Sequence, residues 1–315
     1  MRLFRKKPEW TFDNYFKKLR GDVTLGRFSE GLLFDDNVEY FEDKFKNTRP
    51  TSISKIEEEK VSRLYKQSLD VNGRRIHYTF IPAIHESRGL VVIFHPWNGY
   101  GYTDHIKALG CYDVLAPFDN FGPNRWSCGF WGLNGDPFLV EPIQSLIQKF
   151  LKERKYTHWF TMGGSVGGFG ALYHGILGGC DGMYIMTPQI DIRAMSVQDL
   201  KKGYVDDIYT PMLSSQDPAF DPDLFALARE QETLPPLYLI QALYDTINPF
   251  EQHAYRLQEI YHEKRGWYGL RLLPAIGHRA DGSQEEAEYL FLLIQKKKVQ
   301  KKFQSKKQKE MELTT

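Results

Sequence analysis

Short apolar runs recur along the chain, and most of them are separated by stretches with helical periodicity. The runs that predict buried strands are Leu90–Phe94, Tyr112–Pro117, Thr157–Met162, Met183–Met186, Leu237–Ala242 and Leu270–Leu273. Between two of these runs, residues 140–155 form a predicted helix whose apolar face carries Ile143, Leu146, Ile147 and Phe150. Strands that alternate with helices predict an α/β fold, in which a mostly parallel central sheet has helices on both faces.

The main domain is expected to span residues 63–297 and to open with a hairpin. Leu64–Val71 and Arg75–Ile81 flank the pair Asn72-Gly73. That pair suits a tight two-residue turn, because both positions tolerate a positive φ. The sequence therefore predicts an antiparallel edge at the start of the sheet.

Three further segments complete the predicted domain organisation. Residues 1–62 show no clear period and are expected to be an N-terminal extension packed on the main domain, with a charged helix near its end. The polar, proline-bearing residues 191–233 predict a small cap or lid insertion. Residues 298–315 form a lysine-rich tail, which is usually just a solvated end. Binding of this tail to an anionic membrane or a polyanion is the alternative.

The strongest chemical signal is a serine in a glycine turn between a predicted strand and a predicted helix, Gly163-Gly164-Ser165-Val166-Gly167. A nucleophile elbow needs small residues two positions on either side of its serine, because the turn is too tight for larger side chains. The N-terminus of the following helix also favours negative charge that develops beside the serine. We therefore interpret Ser165 as a nucleophile. A purely structural glycine turn is the alternative.

Two later residues extend this interpretation to a catalytic triad in the order serine, acid, histidine. Asp245 comes after one predicted strand, and His278 comes after the next. His278 would act as general base toward Ser165, and Asp245 would fix the tautomer of its imidazole. Capping of the following helix is the alternative role for Asp245.

The oxyanion hole of such a site is expected to use two backbone N–H groups. Val166, directly after the serine, would supply one of them. The other would come from the loop after Phe94, where Pro96 has no N–H to offer. The sequence therefore predicts Trp97 as the second donor.

Composition narrows the function classes. The net charge of +1 over 315 residues provides no field that would favour nucleic acid. The three cysteines lack the spacing of a zinc site, and no metal or cofactor is expected. The N-terminus lacks the apolar run of a signal peptide, and no stretch reaches the length of a membrane span, so a cytoplasmic location is predicted.

Residues 64–297 resemble the α/β-hydrolase superfamily, on the elbow around Ser165 and the order of Asp245 and His278. A narrower similarity concerns three stretches, residues 126–132, 164–173 and 187–191. These resemble hydrolase-fold proteins of bacterial capsular polysaccharide clusters and accessory secretion systems, some of which are O-acyltransferases or deacylases acting on glycans. That group often has lysine after the serine, where this chain has Val166.

The loops nearest the predicted oxyanion site carry a candidate substrate surface, Asn98, Trp126, Trp131 and Arg125. Flat rings with scattered polar groups suit a sugar ring or an acyl group, although ordinary loop packing is an equal alternative. The expected partner is a small-molecule or glycan ester. The sequence thus predicts a serine-dependent acyl-ester hydrolase, an esterase or deacylase. The alternatives are a glycan O-acyltransferase with the same triad and a non-catalytic hydrolase-fold scaffold or binding protein.

Overall fold

Eight strands form one mixed sheet in the computed structural model, which describes residues 55–71, 74–122, 126–193, 212–214, 216–245, 247–278 and 282–297. The strands are β1 (Gln67–Val71), β2 (Arg74–Ile81), β3 (Leu90–Phe94), β4 (Asp113–Pro117), β5 (Trp159–Gly164), β6 (Gly182–Met186), β7 (Leu237–Tyr244) and β8 (Tyr268–Ile276). Their order across the sheet is β1-β2-β4-β3-β5-β6-β7-β8. β2 runs antiparallel to both β1 and β4, and every other neighbouring pair is parallel.

The antiparallel edge confirms the predicted hairpin at the start of the domain. Val71 of β1 lies opposite Arg74 of β2 in the register of the pair. Asn72 and Gly73, which the sequence assigns to the turn, lie outside the described residues.

Helices cover both faces of the sheet, as the alternating pattern predicts. They are α1 (Lys55–Leu64), α2 (Gly99–Tyr102), α3 (Val140–Arg154), α4 (Val166–Gly178), α5 (Leu224–Glu230), α6 (Ala254–Glu263) and α7 (residues 284–297). Strand β3 shows the division, because successive side chains of a strand point to opposite faces. Leu90 and Val92 belong to the core that α3, α4, α5 and α6 cover, whereas Val91 and Ile93 belong to the core under α1 and α7.

The predicted cap falls only partly on described residues. Helix α5 lies in its second half, and Leu224 and Ala228 of that helix are fully buried in the larger core. This part of the insertion therefore belongs to the main body. Residues 194–211 lie outside the described part of the chain, as do residues 1–54 and 298–315, so a lid, the extension and the tail stay predictions.

Three loops meet at the carboxyl ends of the parallel strands. β5, β6, β7 and β8 are parallel neighbours, so their carboxyl ends lie on the same side. Ser165 follows β5 directly, Asp245 follows β7 directly, and His278 comes shortly after the end of β8. The topology thus brings the three predicted triad residues to the carboxyl ends of the strands, where open α/β sheets bind their ligands.

Candidate active site

Ser165 lies in a strained turn between β5 and α4. Its φ is 56° and its ψ is −125°, a combination that a residue with a side chain rarely adopts. Its backbone N–H donates to the carbonyl of Met186 at 3.0 Å, and its own carbonyl accepts from the N–H groups of Gly168 and Phe169. The strain is thus held in place by the neighbouring strand and by the first turn of α4.

Two glycines make this turn possible. A methyl group at Gly163 would lie 2.2 Å from the carbonyl oxygen of Gly167. A methyl group at Gly167 would lie 2.3 Å from the carbonyl oxygen of Phe94, at the end of β3. Both positions therefore require glycine, for the steric reason that the sequence pattern suggested.

Asp245 and His278 are in direct contact. Nδ1 of His278 lies 2.9 Å from Oδ2 of Asp245 and donates to it, because an ionised carboxylate can only accept. The N–H of Gly277 donates to the carbonyl of Tyr244 at 2.8 Å, which ties the two loops together just before these residues. The other ring nitrogen of His278, Nε2, is thereby left as the proton acceptor of the neutral ring.

The two oxygens of Asp245 have different partners, and the alternative of helix capping is wrong, because the following helix begins at Ala254 with His253 at its N-cap position. Oδ1 accepts the backbone N–H groups of Ile247 and Asn248 at 2.9 and 3.0 Å. Burial would by itself raise the pKa of Asp245. The hydrogen bond and charge of His278, with these two N–H groups, outweigh burial and lower the pKa below its ordinary value. The carboxylate therefore stays ionised beside the imidazole at neutral pH.

Ser165 and His278 line the same cavity, which has a volume of about 420 Å³. Met162 and Met186 provide apolar lining next to the serine. The Ser165 hydroxyl makes no hydrogen bond within the described residues, so its contact with His278 is not formed in this structure. Such contacts are often loose in ligand-free enzymes and tighten when substrate binds.

A charged rim borders the cavity. Lys107 and Glu285 both line it, and neither forms an ion pair within the described part of the chain. Gln284 joins the two sides, since its amide donates to the carbonyl of His105 and accepts from the N–H of Lys107. Sequence reasoning missed these residues. Their position after the Trp97 loop and at the start of the helix that follows His278 is the signal that could have found them.

One of the two predicted oxyanion donors has a clear position. Val166 is the first residue of α4, and its N–H has no hydrogen-bond partner among the residues described. Orphan N–H groups at a helix N-terminus favour an anion. Trp97 follows Pro96, which lines the cavity, and the carbonyl of Trp97 accepts from Ser127 at 2.8 Å.

A buried carboxylate that sequence reasoning missed, Asp119, organises the loop beside Trp97. Its oxygens accept from the N–H groups of Phe121, Cys128 and Phe130, from the hydroxyl of Ser127 and from the thiol of Cys128. Its own N–H donates to Nε2 of His95 at 2.9 Å, and Nδ1 of that ring donates to the carbonyl of Pro96 at 2.6 Å. Burial lowers the pKa of His95 and keeps the ring neutral. A lone aspartate just after buried strand β4 was the available signal.

The structure does not bring the predicted substrate residues to the cavity. Trp131 is only 4% exposed and packs in the larger core. Trp126 packs edge-to-face on Trp97, with ring centroids 4.7 Å apart. Asn98 is half-buried and does not line the cavity with Ser165, and Arg125 lies outside the described residues. The reason is that the hydrogen bonds of Asp119 hold this loop against the core. A role of the predicted residues in substrate binding stays a prediction.

No group of three or more His, Cys, Asp or Glu side chains among the described residues is arranged to hold a metal ion. Within the same residues, no helix has the length and apolar character needed to cross a membrane.

Comparison with known proteins identifies related structures only. No protein-family model and no curated protein matches the sequence. A puromycin-hydrolyzing peptidase of Mycobacterium tuberculosis is 15% identical with a TM-score of 0.51, over 74% of this chain and 39% of that one. A dipeptidyl aminopeptidase IV homologue of Bacteroides ovatus, described as putative, is 15% identical with a TM-score of 0.51, over 73% of this chain and 35% of that one.

The chain thus spans well under half the length of these two proteins. A capsule O-acetyltransferase of Neisseria meningitidis serogroup A also matches, at 17% identity over 72% of this chain and 94% of that one, with a TM-score of 0.47. That score is too low to support an argument about function. At these identities, the likeness establishes a shared fold and nothing finer.

Proposed function

We propose that this chain, which has the α/β-hydrolase fold, is a serine-dependent acyl-ester hydrolase with Ser165 as its nucleophile. The observation that carries the proposal is the 2.9 Å contact between His278 Nδ1 and Asp245 Oδ2, made by a histidine that shares a cavity with Ser165. Three residues from three separate loops are thus the candidates for the nucleophile, the base and the orienting acid that nucleophilic catalysis needs. The strained backbone at Ser165 also supports the proposal, because such strain clusters at active sites.

The proposed reaction proceeds through an acyl-enzyme. Ser165 Oγ attacks the ester carbonyl carbon while Nε2 of His278 takes the hydroxyl proton. The tetrahedral intermediate collapses, the bond to the alcohol breaks, and the leaving alcohol receives that proton. A water molecule then attacks the acyl-enzyme with the same proton transfers, which releases the acid and restores Ser165.

Three groups would stabilise charge during these steps. The N–H of Val166, at the start of α4, supports the developing oxyanion, and the N–H of Trp97 is proposed as the second donor. Asp245 holds His278 with Nδ1 protonated and stabilises the imidazolium. The low pKa of Asp245 favours this role, because the acid must stay ionised while the histidine is charged.

The cavity suggests the kind of substrate. Its volume of about 420 Å³ lies in the range of small-molecule sites. The apolar lining from Met162 and Met186 suits a short acyl group, and the charged rim formed by Lys107 and Glu285 suits a polar alcohol. A small-molecule ester or an acylated sugar fits both features.

A fluorophosphonate probe and a short-chain aryl ester test the proposal. Wild type is expected to label and to hydrolyse the ester, and Ser165→Ala is expected to do neither. Ser87→Ala is the matched control, because Ser87 lies before β3 and its hydroxyl bonds only the carbonyl of Gly89. Absence of labelling in wild type, or labelling that survives Ser165→Ala, would contradict the assignment and favour a non-catalytic scaffold.

The same triad could transfer an acyl group to a sugar hydroxyl instead of water. An aryl ester supplied with and without a glycan acceptor separates the two reactions. Acylated glycan as the main product would identify an acyltransferase, whereas free acid at an unchanged rate identifies a hydrolase.

A further inference from the structure

Ser165 follows β5 and Asp245 follows β7, and β6 lies between these two strands in the sheet. Their relative position therefore depends on the loops that follow β6 and β7. We call residues 187–191 the elbow loop, because the N–H of Gln189 donates to the carbonyl of Ser165 at 3.3 Å. We call residues 247–253 the acid loop, because the N–H groups of Ile247 and Asn248 hold the carboxylate of Asp245.

Two buried side chains of the acid loop reach across to the elbow loop. Nδ2 of Asn248 donates to the carbonyl of Thr187 at 3.0 Å. Nδ1 of His253 accepts the N–H groups of Ile190 and Asp191 at 3.0 and 3.2 Å. Asn248 and His253 are both 0% exposed, so no solvent competes for these bonds.

The acid loop is itself tied to the triad acid. Nε2 of Gln241, on β7, donates to the carbonyl of Asn248 at 2.9 Å and to Oδ2 of Asp245 at 3.2 Å. Hydrogen bonds thus tie Asp245 to the acid loop, and Asn248 and His253 tie the acid loop to the elbow loop, in which Gln189 holds the Ser165 carbonyl. These bonds add to the sheet in fixing the position of the acid relative to the nucleophile.

We call the hydrogen bonds that Asn248 and His253 make to the elbow loop the bridge. The bridge needs His253 in its neutral form, since its Nδ1 must accept two hydrogen bonds. The pKa of His253 is lowered to about 4, chiefly by burial and also by the charges of Arg256 and His278, against the opposing effects of Asp191 and Asp245. Asp191 is in turn paired with Arg256 of α6 at 2.6 Å, which fixes the end of the elbow loop beside the ring. At neutral pH the acceptor is therefore always available.

We propose that His253 and Asn248 are positioning residues, which join the loop of the triad acid to the loop that holds the nucleophile. This proposal rests on the proposed hydrolase function, because it concerns the geometry of Ser165 relative to Asp245 and His278. His253 touches no reacting atom. Its role is to hold Ser165 at a fixed position relative to Asp245 and His278 during the chemical step.

The test compares two replacements of His253. His253→Phe keeps an aromatic ring of similar size but removes the acceptor, and His253→Asn restores an oxygen acceptor at the position of Nδ1. With the aryl ester, we expect His253→Phe to lower kcat about tenfold or more while KM stays within about twofold, since small displacements of reacting groups are costly. His253→Asn is expected to recover most of that loss.

Tyr261→Phe is the matched control. It removes a buried bond from α6, the hydroxyl of Tyr261 to the carbonyl of Pro235 at 2.9 Å, which touches neither loop. Its kcat should equal that of wild type even if its thermal stability falls. If His253→Phe keeps wild-type kcat, or if Tyr261→Phe loses as much kcat, the positioning role is wrong and the bond is merely structural.

A second measurement is independent of activity. Hydrogen exchange followed by mass spectrometry should show faster exchange of the elbow loop in His253→Phe and unchanged exchange there in Tyr261→Phe. Unchanged exchange in His253→Phe would overturn the bridge. If His253→Phe does not fold, Asn248→Ala removes the other crossing bond and is expected to change kcat and exchange in the same direction. If wild type is inactive but the variants show the expected hydrogen exchange, the hydrolase function is refuted and the bridge is supported.

Discussion

Asp245 divides its carboxylate between two tasks, since Oδ2 holds Nδ1 of His278 at 2.9 Å and Oδ1 holds the backbone of the loop that follows β7. The loop bonds fix the carboxylate in one orientation, so the imidazole meets a preorganised partner. A flexible surface acid would have to be ordered in every catalytic cycle. This relationship is the basis of the first prediction.

Asp245→Asn is expected to lower kcat for the aryl ester by about four orders of magnitude, because an amide can donate to His278 and select the wrong tautomer. Initial rates, with thermal unfolding to check the fold, measure this. Asp70→Asn serves as control, since Asp70 pairs with Arg75 on the opposite, antiparallel edge of the sheet. Near-normal rates in Asp245→Asn would mean that another acid serves the triad.

Gly163→Ala and Gly164→Ala, at neighbouring positions, should behave in opposite ways. A methyl group at Gly163 would collide with the Gly167 carbonyl at 2.2 Å, whereas one at Gly164 would find its nearest neighbour at an ordinary 3.5 Å. We expect Gly163→Ala to lose probe labelling and melt at a lower temperature, while Gly164→Ala retains the wild-type melting temperature. Equal melting temperatures for both variants would show that the turn is wider than the structure indicates.

Acid should destabilise the protein below pH 6.5 through its buried neutral histidines. His174 is fully buried, its Nε2–H donates to the carbonyl of Phe130 at 2.9 Å, and burial lowers its pKa to about 4. The unfolded chain binds a proton near pH 6.5, so the stabilisation is complete above that pH and declines as pH falls toward 4. One such group accounts for about 3 kcal/mol over this range.

Urea unfolding at pH 7 and pH 4.5 measures this dependence. His174→Gln should reduce the pH dependence of the unfolding free energy between those values, even if it is less stable at pH 7, while His95 and His253 continue to contribute. An unchanged pH dependence would show that burial does not lower the pKa of His174. His262, which is exposed on α6, provides the control variant His262→Gln.

Charge at the cavity rim should discriminate between substrates. Lys107→Glu is expected to raise KM for an anionic aryl ester and to leave that for a neutral ester unchanged, because only the charged substrate senses the rim. An exposed charge is worth at most about 1 kcal/mol, so the effect is about fivefold and falls with added salt. Glu285→Lys should likewise raise KM for a cationic ester, because the new positive charge repels it. Equal KM changes for all three esters would mean that the substrate does not pass between these residues.

Local patterns in the sequence were sufficient for the sheet and the elbow. The apolar run at Leu90–Phe94 predicts β3 with the bounds that the structure has, and residues 140–155 correspond to α3. Burial on both faces explains this accuracy, because a parallel strand between two helical layers must be apolar throughout. Gly163 was equally readable, since the methyl group that it lacks would collide with Gly167 within the same five residues, whereas the collision at Gly167 involves Phe94 of a neighbouring strand.

The surroundings of the elbow could not be predicted in the same way. Trp126 and Trp131 have the composition of a substrate surface, yet Asp119 directs their loop into the core. Nothing local distinguishes an aromatic side chain that stacks on sugar from one that packs on another ring of the protein, as Trp126 packs on Trp97. That choice depends on a carboxylate whose four partners become neighbours only after the chain has folded.

The sequence by itself determined the order of strands and helices along the chain. It also determined the position of Ser165 in a turn of small residues and the order of Asp245 and His278, because these follow from periodicity and local sterics. Only the tertiary structure decided that Asp245 contacts His278 across 33 residues of chain, that Lys107 and Glu285 border the cavity, and that His253 joins the elbow loop to the acid loop. These are contacts between distant segments. Their geometry is set by how the loops pack at one edge of the sheet, which no local pattern encodes.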